Sequence, residues 1–363
     1  MIIVLGTGII GLHSAYEILK RGMKVTLLDF NVGASATNAS VGMLAPIIEA
    51  KPLEKKLLTL MTDSKRIWDD LNINNKITSQ VGLINNSSLL ISMNNDDTAK
   101  LKFKKKFFKE LGVNTVLLSS RETLKIEPCL NSNVHSSLFC KNQNQVNPKL
   151  LKRFLIQEIL RLKGTIKKVK KIEKVFFDSN TLRIDKLKLK AKKIIICCGA
   201  WSDKLIENSF KIKLPMRPLK GVSMLVKANK IKFNNNLWFR NIYVAQRAKS
   251  ILAIGATEEE KGFEKNVTLD EVYFLTKSIW ECFTEIEKIS LEKLIVGLRP
   301  SMIDGYPVIG PLTKISDKIL CNFGHYRHGI LLSPISSKII ADYVFEEDIK
   351  IKYKYFSPQR FNL

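Results

Sequence analysis

Met1-Ile2-Ile3-Val4-Leu5-Gly6-Thr7-Gly8-Ile9-Ile10-Gly11 opens the chain, and Met23-Lys24-Val25-Thr26-Leu27-Leu28-Asp29-Phe30 follows one helix-length later. The five apolar residues read as a strand buried on both faces. Ala15, Ile18 and Leu19 carry a helical spacing that stops at Arg21-Gly22. A second strand then ends on Asp29. Each glycine of the turn has a separate job: Gly6 makes the tight turn, Gly8 lets backbone approach a pyrophosphate, and Gly11 lets helix pack on sheet. The helix N-terminus around Ile9 and Ile10 offers free N–H groups and a positive dipole end to phosphate. Asp29, with Phe30 beside it, stands where a ribose hydroxyl can be held. A glycine pattern alone is weak evidence. Strand, glycines, helix, strand and acid in this order predict a dinucleotide-binding βαβ unit.

Asn31–Ser40 is a small polar loop, leading into Val41-Gly42-Met43-Leu44. By itself it fits either a surface loop or a segment running beneath a flavin. Residues 51–75 have helical spacing, and 80–93 read as strands about a turn. On 102–109 lysines alternate with Phe103, Phe107 and Phe108. The reading there is an amphipathic helix with phenylalanines inward, rather than an RNA-stacking face. Asn147-Pro148 opens a further helix. Thr165–Phe177, Thr181–Lys190 and Ile194–Cys198 read as strands. The stretches 222–228, 236–240, 241–247 and 251–257 suggest an antiparallel sheet, and 269–289 returns to helix.

Several of these segments resemble the D-amino-acid oxidase superfamily, and the glycine oxidase branch in particular. The residues that carry the likeness are Gly33–Pro46, Cys198-Gly199-Ala200-Trp201-Ser202, Leu214–Gly221, Gly297-Leu298-Arg299-Pro300 with Asp304–Gly310, and Gly324-His325-Tyr326-Arg327-His328-Gly329-Ile330. The resemblance covers essentially the whole chain. It implies a Rossmann-like α/β FAD-binding domain and an α+β substrate domain built on an antiparallel sheet. The FAD domain is expected to be discontinuous, from 1–80, 142–214 and 295–363, with 81–141 and 215–294 forming the substrate domain. It also implies that Ala36, Thr37, Val41, Gly42 and Met43 lie along the FAD, with Ile172 on the adenine side. His325, Tyr326, Arg327, His328, Gly329, Ile330 and Leu331 complete the expected cofactor set. His328 stands where the family pattern has Asn, and the residue reads as a satisfied polar side chain.

For substrate, the resemblance implies that Arg299 pairs two-pronged with a carboxylate, which suits a guanidinium fork in a dry pocket. Tyr243 is expected to bond the same carboxylate. Arg327 would hold the substrate near its reacting end, and Met43 would set pocket volume. No base stands out, which suits hydride transfer from Cα to flavin N5 from a neutral amine. The implied activity is oxidation of a small amino acid, glycine first, with O2 as acceptor and a product feeding thiazole formation in thiamine synthesis. Two alternatives stay open: a D-amino-acid dehydrogenase or sarcosine-type oxidase, and a flavin domain acting on a modified tRNA aminomethyl group. The superfamily's sarcosine-type members tether FAD through a cysteine in the region matched by 297–310. None stands there, so noncovalent FAD is expected.

The whole-chain properties set limits. Lys and Arg number 59 against 34 Asp and Glu, a formal charge of +25 over 363 residues. With 45% hydrophobic residues, disorder throughout is excluded. The charge raises nucleic acid or an anionic membrane as partners. But the basic stretches 102–109, 161–171 and 186–193 avoid every candidate site residue. We therefore read the charge as solubility and long-range attraction of carboxylates, with no specific nucleic acid. The six cysteines show no metal or disulfide spacing. No basic leader precedes the first strand and no apolar run is long enough to span a bilayer, so a cytoplasmic protein is expected. Oligomeric state stays open.

Overall fold

A computed structural model describes residues 1–363 apart from 31, 32, 73, 74, 171, 185, 230 and 232, and of 72, 75 and 76 the backbone alone. Ile2–Leu5 lies at the heart of a six-stranded sheet. The strand order is Val308–Leu312, Ser316–Phe323, Lys193–Ile196, Ile2–Leu5, Val25–Phe30, Thr165–Val169. Every neighbouring pair is parallel except the antiparallel edge strand Val308–Leu312. The uninterrupted apolar run has a plain cause. Ile2 and Val4 enter one core and Ile3 and Leu5 the other, all four wholly buried.

Helices Ile9–Lys20, Lys55–Asn72, Pro148–Arg161 and Gly329–Phe345 cover the first face. Gly329–Phe345 is apolar almost all round because it packs against both Ile9–Lys20 and Lys55–Asn72. The second face is covered by helix Ser202–Phe210 and a three-stranded antiparallel sheet, Phe176–Asp178, Thr181–Ile184 and Leu187–Lys190. Here the structure revises two expectations. The strand expected over 165–177 stops at Val169, and the one over 181–190 is a hairpin. Residues 171 and 185, within those expected strands, lie outside the described set, as do 31 and 32 of the expected loop. Leu187 and Leu189 pack inward while Lys188 and Lys190 are exposed, as their alternation predicts.

An eight-stranded sheet forms the second body, ordered Ser290–Met302, Met216–Lys227, Ile251–Gly255, Ile242–Ala248, Asn236–Phe239, Ser88–Ser92, Ser136–Cys140, Val116–Ser119. It is antiparallel apart from the parallel pair Asn236–Phe239 with Ser88–Ser92. The strand Ser290–Met302 crosses the boundary expected at 295. Helix Asn95–Glu110 is capped by Asn94, whose side chain accepts from Asp97 N–H at 2.8 Å. Phe108 is fully buried and Phe107 half-buried, but Phe103 is exposed, so the inward-phenylalanine reading holds for two of the three. Among the described residues, no helix is long and apolar enough to cross a membrane.

Candidate active site

A cavity of about 520 Å³ lies between the carboxyl ends of the parallel strands and the face of the eight-stranded sheet. The glycine turn forms one end. Gly6 has φ +106°, and a Cβ there would meet Cys197 O at 2.5 Å. A Cβ on Gly11 would meet Gly6 O at 2.1 Å. Both glycines are therefore fixed by backbone approach. Gly8 differs: a Cβ there would meet only Thr37 Oγ1, at 3.6 Å. The space beside it is cavity. Ile9 N–H donates to Thr37 Oγ1 at 3.0 Å, which ties the short helix Ala36–Ala39 to the turn. No acidic residue sits in the first turn of Ile9–Lys20, so its positive end faces the cavity uncompensated. Asp29, with Phe30 next to it on the wall, accepts a hydrogen bond from the Thr7 hydroxyl.

His325 adds polar capacity to the same wall. It is buried on the cavity wall, and neither ring nitrogen has a hydrogen-bond partner among the described residues. Burial pushes its pKa down to about 3, so the ring is neutral and has one donor and one acceptor to offer. Buried polar groups are ordinarily paired. Free helix N–H groups, an acid at the second strand's end and an unpartnered buried ring suit a phosphate-bearing dinucleotide with a polar ring system. His328 is also buried, and burial takes its pKa down to about 4.

The other end is built of charged side chains from distant segments. Arg299, on strand Ser290–Met302, donates from Nη1 to Thr257 O at 3.0 Å and to Lys220 O at 3.5 Å. Its guanidinium lies flat on Gly221, where a Cβ would fall 2.4 Å from Nη1. Glu258 Oε2 stands 3.8 Å from Arg299 Nη1 and accepts from the Tyr326 hydroxyl at 2.5 Å. Arg327 is held by Glu49 from two atoms, Nε to Oε2 at 2.9 Å and Nη2 to Oε1 at 3.1 Å. Glu49 raises the pKa of Arg327 further. The Tyr243 ring lies 6.0 Å from the Arg327 guanidinium and 5.1 Å from Trp238.

Beneath Arg299 is a buried ion pair. Lys220 Nζ donates to Glu271 Oε2 at 2.9 Å, and both side chains are wholly buried. Glu271 also accepts from Thr268 N–H and Oγ1, capping helix Leu269–Cys282. Burial raises the Glu271 carboxyl, but the bonds from Lys220 and Thr268 outweigh it and hold the group below its ordinary value. The backbone carbonyl of Lys220 is one of the two that orient Arg299.

Not every expected residue reaches the wall. Gly6, Gly8, Ile9, Ile10, Asp29, Phe30, Ala36, Thr37, Tyr243, Arg299, His325, Tyr326, Arg327, Gly329 and Ile330 line the cavity. Ile172 does not, because it is packed in the second core; Lys168 and Val169 of the preceding strand take the wall instead. Val41 and Met43 pack behind Tyr243. Gly42, with φ +86°, is pressed against Val146, whose carbonyl would lie 2.0 Å from a Cβ there. Gly11 stands behind the turn, and Leu331 is in the helical core, its carbonyl accepting from Ser64 and Trp68. His328 sits at the helix cap, off the wall. The sequence reading missed Glu49, Glu258, Lys220 and Glu271. One signal was available: Glu258-Glu259-Glu260 is an acidic run in a strongly basic chain.

The DAO family, described as FAD dependent oxidoreductase, matches residues 1–343. The chain belongs to this family. FAD is its cofactor and it is an oxidoreductase. A hydrogen cyanide synthase subunit HcnC from Pseudomonas aeruginosa is 27% identical over 254 residues, 67% of this chain and 59% of that protein. The chain thus spans only about three-fifths of that relative. A glycine oxidase from Bacillus licheniformis is 25% identical over 362 residues, covering 97% of this chain and 94% of its own. The crystal structure of glycine oxidase from Geobacillus kaustophilus superposes with a TM-score of 0.89 at 23% identity, over 98% of this chain and 97% of that one. The mixed α/β fold of the FAD dependent oxidoreductases is therefore the fold of this chain.

Proposed function

We propose that this FAD-dependent oxidoreductase oxidises a small amino acid, glycine before others, with O2 as acceptor. Glycine, O2 and water would give glyoxylate, ammonia and H2O2 by way of iminoglycine. We place the reaction in the cytoplasm, upstream of thiazole formation in thiamine synthesis; the six buried free thiols suit a reducing compartment.

The supporting observation is Arg299. Two backbone carbonyls hold its guanidinium on the wall of the cavity that also holds the glycine turn. A fork fixed in this way matches a carboxylate and is shielded from water. In this reading Arg299 takes the substrate carboxylate, and the Tyr243 hydroxyl donates to the same group. Arg327, neutralised by Glu49, bounds the pocket near the reacting carbon, and Met43 behind Tyr243 limits its depth. Holding Cα in one place supplies most of what the chain itself contributes to rate. FAD, when bound, would supply the redox chemistry, a hydride acceptor for the α-hydrogen and a carrier of electrons to O2. Gly6, Gly8 and Gly11 with Asp29 would hold the nucleotide half. His325 and the N-terminus of Gly329–Phe345 would face the ring half, where a positive dipole end favours negative charge. We take 1–80, 142–214 and 295–363 as the FAD-binding unit, since every strand of the six-stranded sheet comes from those ranges.

Purified full-length protein should be yellow and should release H2O2 with glycine faster than with sarcosine or D-amino acids. No peroxide with any of them overturns the oxidase reading. Reduction by D-amino acids with only a quinone reoxidising the flavin would favour the dehydrogenase alternative.

A further inference from the structure

We infer that Glu258 receives the substrate's amine: it binds the ammonium and takes one proton from it before the α-hydrogen leaves. This rests on the amine-oxidising reading above. Hydride leaves an amino acid only from the neutral amine, yet at pH 7 most of a free amino acid carries an ammonium. Something must accept that proton, and the sequence offered no base.

The carboxylate beside Arg299 has the right placement. In an α-amino acid the amine is two bonds from the carboxylate carbon. A carboxylate seated on Arg299 therefore brings its amine within a few ångströms of the guanidinium. Glu258 is not itself on the cavity wall, but its Oε2 lies 3.8 Å from Arg299 Nη1 and is bonded by Tyr326, and both of those residues line the cavity. A cation and an anion side by side at that spacing form the complement of a zwitterion. Tyr326 fixes the carboxylate through its 2.5 Å hydrogen bond. Burial first, and the bond to Glu258 next, push the phenol up to about 12, so it stays a donor. Tyr326 has φ +49°, unusual for a bulky residue, and its N–H is pinned to Pro300 O at 2.8 Å. Strain at a cavity residue suits a phenol that must stay in one place.

The other charged groups nearby are engaged. Arg327 is paired with Glu49, Glu259 with Lys261, Glu260 with Arg217, and Lys220 with Glu271. His325 and His328 are held low by burial and accept protons poorly. In the step itself an N–H bond breaks, its electron pair stays on nitrogen, and an O–H bond forms on Glu258. The Glu258 side chain is 43% exposed, so the proton then passes to water.

The test uses the FAD-loaded full chain and Glu258→Gln, which keeps the size and the contact to Tyr326. Anaerobic flavin bleaching by glycine at pH 7 should slow about 100-fold in the variant. Its rate should then rise about tenfold per pH unit as free amine becomes available. Acetate, which is glycine without the amine, is titrated by the flavin absorbance change. It should bind the variant at least as tightly as wild type, because the charge facing Arg299 is gone. Equal bleaching rates and pH profiles in the two proteins overturn the assignment. So does a joint loss of glycine and acetate affinity, which marks a merely structural residue. A wild-type flavin that no amine bleaches overturns the functional reading itself.

Discussion

The two ends of the cavity are made in different ways. The end we assign to the nucleotide is made mostly of backbone: glycines and helix N–H groups within the first thirty-odd residues, joined by the strand ends at Lys168, Val169 and Cys197. The end we assign to substrate is made of side chains, Tyr243, Arg299, Tyr326 and Arg327, with charged partners behind them at 49, 220, 258 and 271. At Gly6 and Gly11 the first tolerates no extra atom. The second tolerates atoms but not a lost partner. The contrast can be broken first at Gly11. Gly11→Ala would put a Cβ 2.1 Å from Gly6 O, and the strand cannot move aside without moving the sheet. We expect a loss above about 4 kcal/mol, seen as insoluble or flavin-free protein. Gly8→Ala, three positions away, should keep its melting temperature and lose only FAD, read as the ratio of flavin to protein absorbance. Equal stability losses at both positions would erase the distinction between a packing glycine and a ligand glycine.

This difference also decides what the sequence disclosed. The parallel sheet was legible because each glycine, the apolar run and Asp29 are local signals with local causes. Arg299 and Arg327 were found through the resemblance of short flanking motifs. Their partners were not found. Glu49 meets Arg327 across 278 positions, and Lys220 meets Glu271 across 51. No periodicity encodes such pairings. The strand over 165–177 failed for a related reason: Thr165–Val169 has no buried residue while Ile172 and Val175 beyond it are buried, so the hydrophobic pattern did not mark where the chain leaves the sheet.

The buried pair gives the next-largest effect. Lys220→Met leaves the Glu271 carboxylate buried without its cation, which costs about 3 kcal/mol or somewhat more. Thermal unfolding should show it, and Lys220→Met with Glu271→Leu should recover part of the loss. The recovery stays partial because Glu271 also caps its helix at Thr268. The pH dependence has a definite sign. The Glu271 carboxyl is lower in the native state than its ordinary 4.5. Its contribution is therefore complete above that value and disappears as pH falls through the native pKa. The double variant should lose this acid sensitivity. An unchanged acid midpoint would mean that other carboxylates dominate.

The smallest effect concerns which acids the charged end accepts. Arg299 and Arg327 would together form a doubly cationic pocket, apt for an amine carrying two carboxylates. Glu49 counters this by holding Arg327 from two atoms, whereas Arg299 has only the more distant Glu258 at 3.8 Å. Glu49→Gln keeps one hydrogen-bonding oxygen and removes the charge. The freed guanidinium should favour a dicarboxylate amine such as iminodiacetate by about 1 kcal/mol, roughly fivefold in kcat/KM relative to glycine. FAD content should not change, since Glu49 touches neither the glycine turn nor Asp29. If glycine and iminodiacetate shift together, Glu49 acts on the shape of the pocket. If only the ratio moves, it acts through the charge on Arg327, and selectivity at this end is set by how closely each arginine is paired.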